Sequence, residues 1–362
     1  MRRSVDRYWL MPLAAVGGLL GVWGLSFAWA ETGPEPPEPP ESFEAPGAVI
    51  EKLHVRTAPI QGGLSEGPAA APDGSIYFSD IPQGADHGMI LRFDPATRQT
   101  TVFAEDSRKS NGLAFDRQGG LIACEGADGG GRAIARWDLK TGQRTVLVDR
   151  YQGKRFNSPN DLCLDAADRI YFTDPRYVGD EPLELKHRAV YRFDPSSSEV
   201  VEITHDVSMP NGIAISHDGR TLYVADTDQG QAPAGRTPQR ARVMRIYAFG
   251  LDERGLVAGE RRTFFDFGNR LGCDGMTLDS EGNLYLATRD PAWPSILVLS
   301  PAGKELTRIS TYVQREPAKQ SAARISSLPS NVEFGVGEDA NLLYMTIDTG
   351  LYRIRLTKRG SH

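Results

Sequence analysis

Cysteine is scarce in this chain: Cys124, Cys163 and Cys273 are the three among 362 residues. An odd number cannot all pair, and no two form a Cys-x-x-Cys. A disulfide scaffold and a thiolate zinc centre are therefore excluded. The six histidines (His54, His87, His187, His205, His217 and His362) show no paired ligand spacing, which makes zinc a poor alternative on imidazole grounds as well. An excess of basic charge is also missing. With 41 Lys and Arg against 47 Asp and Glu the net charge is −6, and no basic stripe carries interleaved aromatics, so no nucleic-acid partner is expected. Finally, no long segment repeats its apolar residues at a 3.6-residue period, which argues against a helical bundle or a helix-rich α/β fold.

The N-terminus stands apart from the rest. Arg2, Arg3 and Arg7 precede an apolar run from Tyr8 to Ala30 that ends in the small-x-small site Ala28-Trp29-Ala30. Residues 1–30 read as a secretory signal peptide, or as an anchor helix if they are not cleaved. Either way the protein is expected to be exported, periplasmic or extracellular, with membrane association only if the segment is retained. Residues 31–47 are rich in Pro and Glu and read as a solvated spacer with little to bury. Folding is expected to begin near Ala48 and to run to about residue 358.

From there the chain repeats. A turn with Asp or Gly and then a short apolar strand recurs at Asp73–Asp80, Gly119–Glu125, Asp168–Asp174, Asp218–Asp226, Gly282–Thr288 and Asn341–Asp348. Further strands flank each copy, such as Ile90-Leu91-Arg92-Phe93 and Val190-Tyr191-Arg192-Phe193 after it, and Gly112-Leu113-Ala114-Phe115 before it. Four strands per repeat and six repeats, at a spacing typical of propeller blades, predict an all-β, six-bladed β-propeller. The last repeat lacks a fourth strand. The alternating stretch Val49–Arg56 is expected to supply it and so close the ring.

The turns that enter the first strand of each blade should meet at the central channel. They read Ser65-Glu66-Gly67-Pro68, Ser110-Asn111-Gly112, Pro159-Asn160-Asp161, Pro210-Asn211-Gly212, Cys273-Asp274-Gly275 and Ser330-Asn331-Val332. A single Asn-Gly is an ordinary turn. As a convergent set, Glu66, Asn160, Asn211 and Asp274 would offer two carboxylates and two amide carbonyls, an oxygen shell suited to Ca²⁺. Without a cation the two carboxylates would repel, and one would hold its proton. Cys273 reads as a small packing residue. Gly63-Leu64-Ser65-Glu66-Gly67 matches the nucleophile-elbow pattern, but that elbow needs a strand-turn-helix context absent here.

These residues resemble the gluconolactonase group of the SMP-30/gluconolactonase/luciferin-regenerating-enzyme family. The resemblance rests on Glu66-Gly67-Pro68, Gly153 to Asp161, Tyr171-Phe172-Thr173-Asp174-Pro175, Pro210 to Ala214 and Cys273-Asp274-Gly275-Met276, in order over residues 50 to 356. It implies one divalent metal, calcium as a rule and zinc, manganese or magnesium in some members. It implies ligands at Glu66, Asn211 and Asp274, with Asn160 as ligand or substrate contact. Arg155 and Asn111 are candidate substrate-binding residues. The implied activity is hydrolysis of a sugar lactone, with Asp274 as general base for water attack on the polarised carbonyl. Another lactone, an ester or a phosphotriester is the alternative substrate, and a non-catalytic binding propeller the alternative class. Two departures from close relatives stand out. Gly126 follows Cys124-Glu125 where such relatives often carry histidine, and the insert from Asp226 to Gln239 forms a lid or a simple loop.

Overall fold

A computed structural model describes residues 42–56, 63–82, 87–230, 242–312 and 327–361. The segment read as a signal peptide or anchor, and most of the Pro/Glu-rich spacer, lie outside the described residues. Among these residues no helix is long and apolar enough to cross a membrane.

Six antiparallel four-stranded sheets follow one another along the chain, with a single 3₁₀ turn at Gly337–Asp339 and no α-helix among the described residues. The innermost strands are Leu64–Ala70, Ser110–Phe115, Leu162–Leu164, Pro210–Ile215, Cys273–Leu278 and Pro329–Phe334, one for each of blades one to six. This is the six-bladed propeller that the repeats predict.

The alternation within the second strands explains why the sheets stack as blades. In Ile76–Ile81, Ile76 and Phe78 face the seam with blade six, where they meet Leu342, Tyr344 and Leu351. Tyr77, pointing the other way, packs in the seam with blade two against Leu113 and Trp137. The same division recurs around the ring, so that each of six apolar clusters fills one seam between neighbouring blades. Sheets buried on both faces read as near-continuous apolar runs, which is how Ile170–Asp174 and Leu284–Thr288 read.

The ring closes as expected. Glu51–Val55 pairs antiparallel with Gly350–Arg355 and becomes the outer strand of blade six. Glu51 reinforces the seam by accepting from Arg353 Nε at 2.7 Å. The packed chain reaches further at both ends than the sequence pattern suggests. Phe43 is buried beside Tyr285, with ring centroids 6.5 Å apart, so the spacer gives way to folded chain before Ala48. At the other end Gly360 bridges to Asp279 of blade five, and Lys358 pairs with Glu281 at 2.9 Å.

Candidate active site

Each innermost strand begins at one end of the channel, and there its pairing is irregular. Register shifts fall between Glu66 and Ala69, Ser110 and Leu113, Pro210 and Ile213, Cys273 and Met276, and Pro329 and Asn331. A bulge bends its strand and re-aims one side chain. In blade three the paired strand starts only at Leu162, and Asn160 N–H instead donates to Thr173 O at 2.9 Å. These irregularities present Glu66, Asn111, Asn160, Asn211 and Asp274 to one cavity of about 590 Å³.

The turns are also tied to one another. Gly112 N–H donates to Asn160 O at 2.8 Å, joining blades two and three, and Ser330 Oγ donates to Ser65 O at 2.6 Å, joining blades six and one. The acids that close the second strands have a supporting task. Asp226 accepts from the backbone N–H groups of Ser208 (2.9 Å) and Met209 (3.0 Å), just ahead of Asn211. Asp174 does the same for Asn157 (2.8 Å) and Ser158 (2.6 Å), ahead of Asn160.

Below the five side chains the channel is crossed by Asp161 of blade three and Asn331 of blade six, in contact at 3.5 Å. Room for this pair comes from glycine. A Cβ on Gly112 would overlap the Asp161 carboxylate, and one on Gly275 would overlap the Asn331 amide.

The electrostatics of the cavity floor are those of acids short of counter-charge. Burial raises the Glu66 carboxyl well above its ordinary range; Asp274 and Asp161 push it further, while Arg289 and the Gly67 N–H pull against this. Asp274 is raised by burial too, opposed by Arg289 and by a hydrogen bond with Asn211. Asp161 is pushed up to about 7, chiefly by burial. Arg289 lies 3.3 Å from Asp274 Oδ2. Two buried carboxylates that repel one another, joined by two carboxamides, fit a hard divalent cation through an all-oxygen set. The Cys273 thiol is buried and donates to Gly275 O at 3.1 Å. Among the described residues, no three His, Cys, Asp or Glu side chains form a metal-binding group by themselves.

Arg155 is not brought to this cavity. It sits on a two-stranded hairpin, Arg150–Tyr151 with Lys154–Arg155, where its guanidinium donates to Gly131 O and lies 3.8 Å from Asp149. It shares an outer cleft with Arg108 and Arg144. Three cavity residues had no sequence signal as functional groups. Arg289 follows a strand whose pattern ends at Thr288. Lys109, which donates to Pro82 O at 3.1 Å, is the residue two before Asn111. Tyr177, whose hydroxyl is 2.6 Å from Thr227 Oγ1, lies in a long loop. Gly126 lines the cavity as well. Of the insert from Asp226, residues 231–241 lie outside the described residues.

The sequence model of the SMP-30/Gluconolactonase/LRE-like region matches residues 64–349, which take in blades one to five and the two inner strands of blade six. The chain belongs to this family. Among its relatives, the gluconolactonase of Zymomonas mobilis is 33% identical over 283 residues, spanning 72% of this chain and 73% of the relative. The lactonohydrolase oryL of Aspergillus oryzae is 26% identical over 70% of this chain and 62% of its own length. Among solved structures, a gluconolactonase from Xanthomonas campestris superposes with a TM-score of 0.66 at 29% identity, covering 88% of this chain and 95% of that one. The calcium-binding protein regucalcin from Agrobacterium tumefaciens, at 20% identity and a TM-score of 0.63 over 86% of this chain and 95% of its own, shows the same fold.

Proposed function

We propose that this family member is a metal-dependent hydrolase that opens the ring of a lactone. The observation that carries the reading is the convergence of Glu66, Asn160, Asn211 and Asp274, from four different blades, in one cavity. It is supported by relatives named gluconolactonase and lactonohydrolase. The sugar lactone of the gluconolactonases is the reference substrate.

Glu66, Asn160, Asn211 and Asp274 would hold the cation, for which calcium fits the oxygen donors well. When bound, such an ion supplies positive charge for polarising a carbonyl and stabilising an oxyanion. The rest falls to the side chains. Asp274, whose carboxyl is raised by burial against the opposing pull of Arg289 and Asn211, accepts the proton of the attacking water as general base. The Asn111 amide binds a ring or hydroxyl oxygen from the facing blade. The Arg289 guanidinium both steers the Asp274 carboxylate and offsets the charge it shares with Glu66. The carboxylate product, an anion, leaves a site already lined by acids, which favours its release. Export to the periplasm or cell surface, proposed from the N-terminal segment, would place the enzyme among extracytoplasmic lactones.

The test is Asp274→Asn, which keeps shape and one oxygen but removes the base. Hydrolysis of glucono-1,5-lactone should fall by about 10²-fold or more, within the range of general-base losses. Unchanged turnover would remove Asp274 from the chemistry.

A further inference from the structure

The cavity above the acids has two unlike walls. Blades two and three contribute Lys109, Asn111, Asp128, Ser158 and Asn160. Around the opposite side, from blade four through five and six to blade one, Met244, Leu271, Leu328, Leu64, Ile81 and Pro82 line the cavity between the polar groups of Glu66, Asn211, Thr227, Gln229, Asp274 and Arg289. Four of these, Leu64, Ile81, Leu271 and Leu328, are only half-buried although they share the cavity with Glu66, Asn160, Asn211 and Asp274. Tyr177 and Val178 of blade three overhang the same mouth, at 44% and 58% exposure.

The apolar part of this lining is poorly matched to a sugar lactone, whose ring carries hydroxyl or hydroxymethyl groups on every carbon but the carbonyl. A hydroxyl set against a wall of Leu, Ile, Met and Pro side chains loses its water and gains no partner, at roughly tenfold in affinity each. A hydrocarbon group on the same wall gains about fourfold per methylene buried. At about 590 Å³ the cavity is also in the size class of pockets for drug-sized ligands, about 300–1,000 Å³, and is roomier than one small sugar ring requires.

We infer that the preferred substrate is a lactone bearing a hydrocarbon substituent. Its ester group lies at Glu66, Asn160, Asn211 and Asp274, and its tail lies along Met244, Leu271, Leu328, Leu64 and Ile81. The inference rests on the lactonase reading for the ring and extends it to the substituent. The chemistry is unchanged: water adds to the carbonyl carbon, the ring C–O bond breaks, and the alkoxide leaving group takes up a proton to give a hydroxy acid.

The experiment compares the full chain, supplied with calcium, on δ-decalactone, δ-valerolactone and glucono-1,5-lactone. It is paired with calorimetric binding of the lactam of the decalactone skeleton, which presents the same tail on a ring that resists hydrolysis. The expected kcat/KM for δ-decalactone exceeds those for δ-valerolactone and gluconolactone by at least tenfold. The lactam is expected to bind, and Leu271→Asn to weaken that binding about tenfold or more. Faster turnover of gluconolactone than of δ-decalactone would overturn the inference and leave the lactonase reading standing. Lactam binding that Leu271→Asn weakens, with no lactone hydrolysed, would support the tail site and overturn the lactonase reading. Neither binding nor hydrolysis would overturn both.

Discussion

Asp226→Ala probes how the propeller holds its candidate site in place. Asp226 is buried in the last part of the second strand of blade four, Thr221–Asp228, and its two oxygens take the N–H groups of Ser208 and Met209. Alanine leaves both donors without an acceptor in a part-buried turn. An unsatisfied buried donor costs about 1–3 kcal/mol, and part exposure puts each of these near the lower half of that range. The sum is about 2–4 kcal/mol, or roughly 30- to 1,000-fold in the folding equilibrium. Asn211 lies two residues beyond Met209, so the loosened turn should also weaken the proposed cation site. The assay is urea unfolding with and without calcium, beside Asp218→Ala as control, a substitution at an exposed turn at the far end of the same blade. Asp226→Ala should lose the larger stability and a larger share of the calcium-induced gain. Equal behaviour of the two variants would refute the claim that the strand-closing acids position the turns.

Arg289→Gln removes the guanidinium beside Asp274. Lactone turnover should fall about tenfold or more, and in chelator the variant should be less stable than the parent above neutral pH, both read by pH-stat and thermal melts. Asp174 carries a pH signature. Burial pushes its carboxyl up to about 7, against the N–H groups of Asn157 and Ser158 and the charges of Arg132 and Arg176. A raised folded pKa means the folded protein holds a proton that the unfolded chain has released. This contribution is therefore full below about pH 4 and is lost as pH rises through about 7, by at most about 4 kcal/mol. Asp174→Asn should flatten that part of the stability–pH curve, and an unaltered slope would assign it to other groups. A chain lacking residues 42–56 loses the strand that covers Gly350–Arg355 and the Glu51–Arg353 pair. It should expose an open sheet edge and aggregate or unfold without cooperativity, as judged by light scattering and calorimetry.

The fold was legible because a propeller repeats its grammar. The turn-and-strand pattern from Asp73–Asp80 to Asn341–Asp348 gave the blade count, and the missing fourth strand of the last blade pointed to Val49–Arg56. The convergence of Glu66, Asn160, Asn211 and Asp274 was legible for the same reason, since equivalent turns of a closed ring must meet. That Arg155 lies outside this cavity was not legible, because sequence proximity to Asn160 says nothing of direction. A tight hairpin turns that arginine to the outer cleft. The bulges that tip the site residues inward leave little local trace, because a register shift depends on what lies across the ladder. Arg289 and Lys109 looked like ordinary strand-end cations, and only the closing of the ring sets them beside the acids. Phe43 was hidden by its Pro/Glu-rich setting, and its burial depends on Tyr285, far away in sequence.

The most direct test of the central claim is a calcium titration of the full chain stripped of metal, with hydrolysis of glucono-1,5-lactone and of δ-decalactone followed by base uptake at constant pH. The account predicts no turnover above background in chelator. Activity should return in proportion to the binding of one cation per chain, and Glu66→Gln should lose both binding and activity. Full turnover in chelator, or calcium binding unaffected by Glu66→Gln, would contradict it.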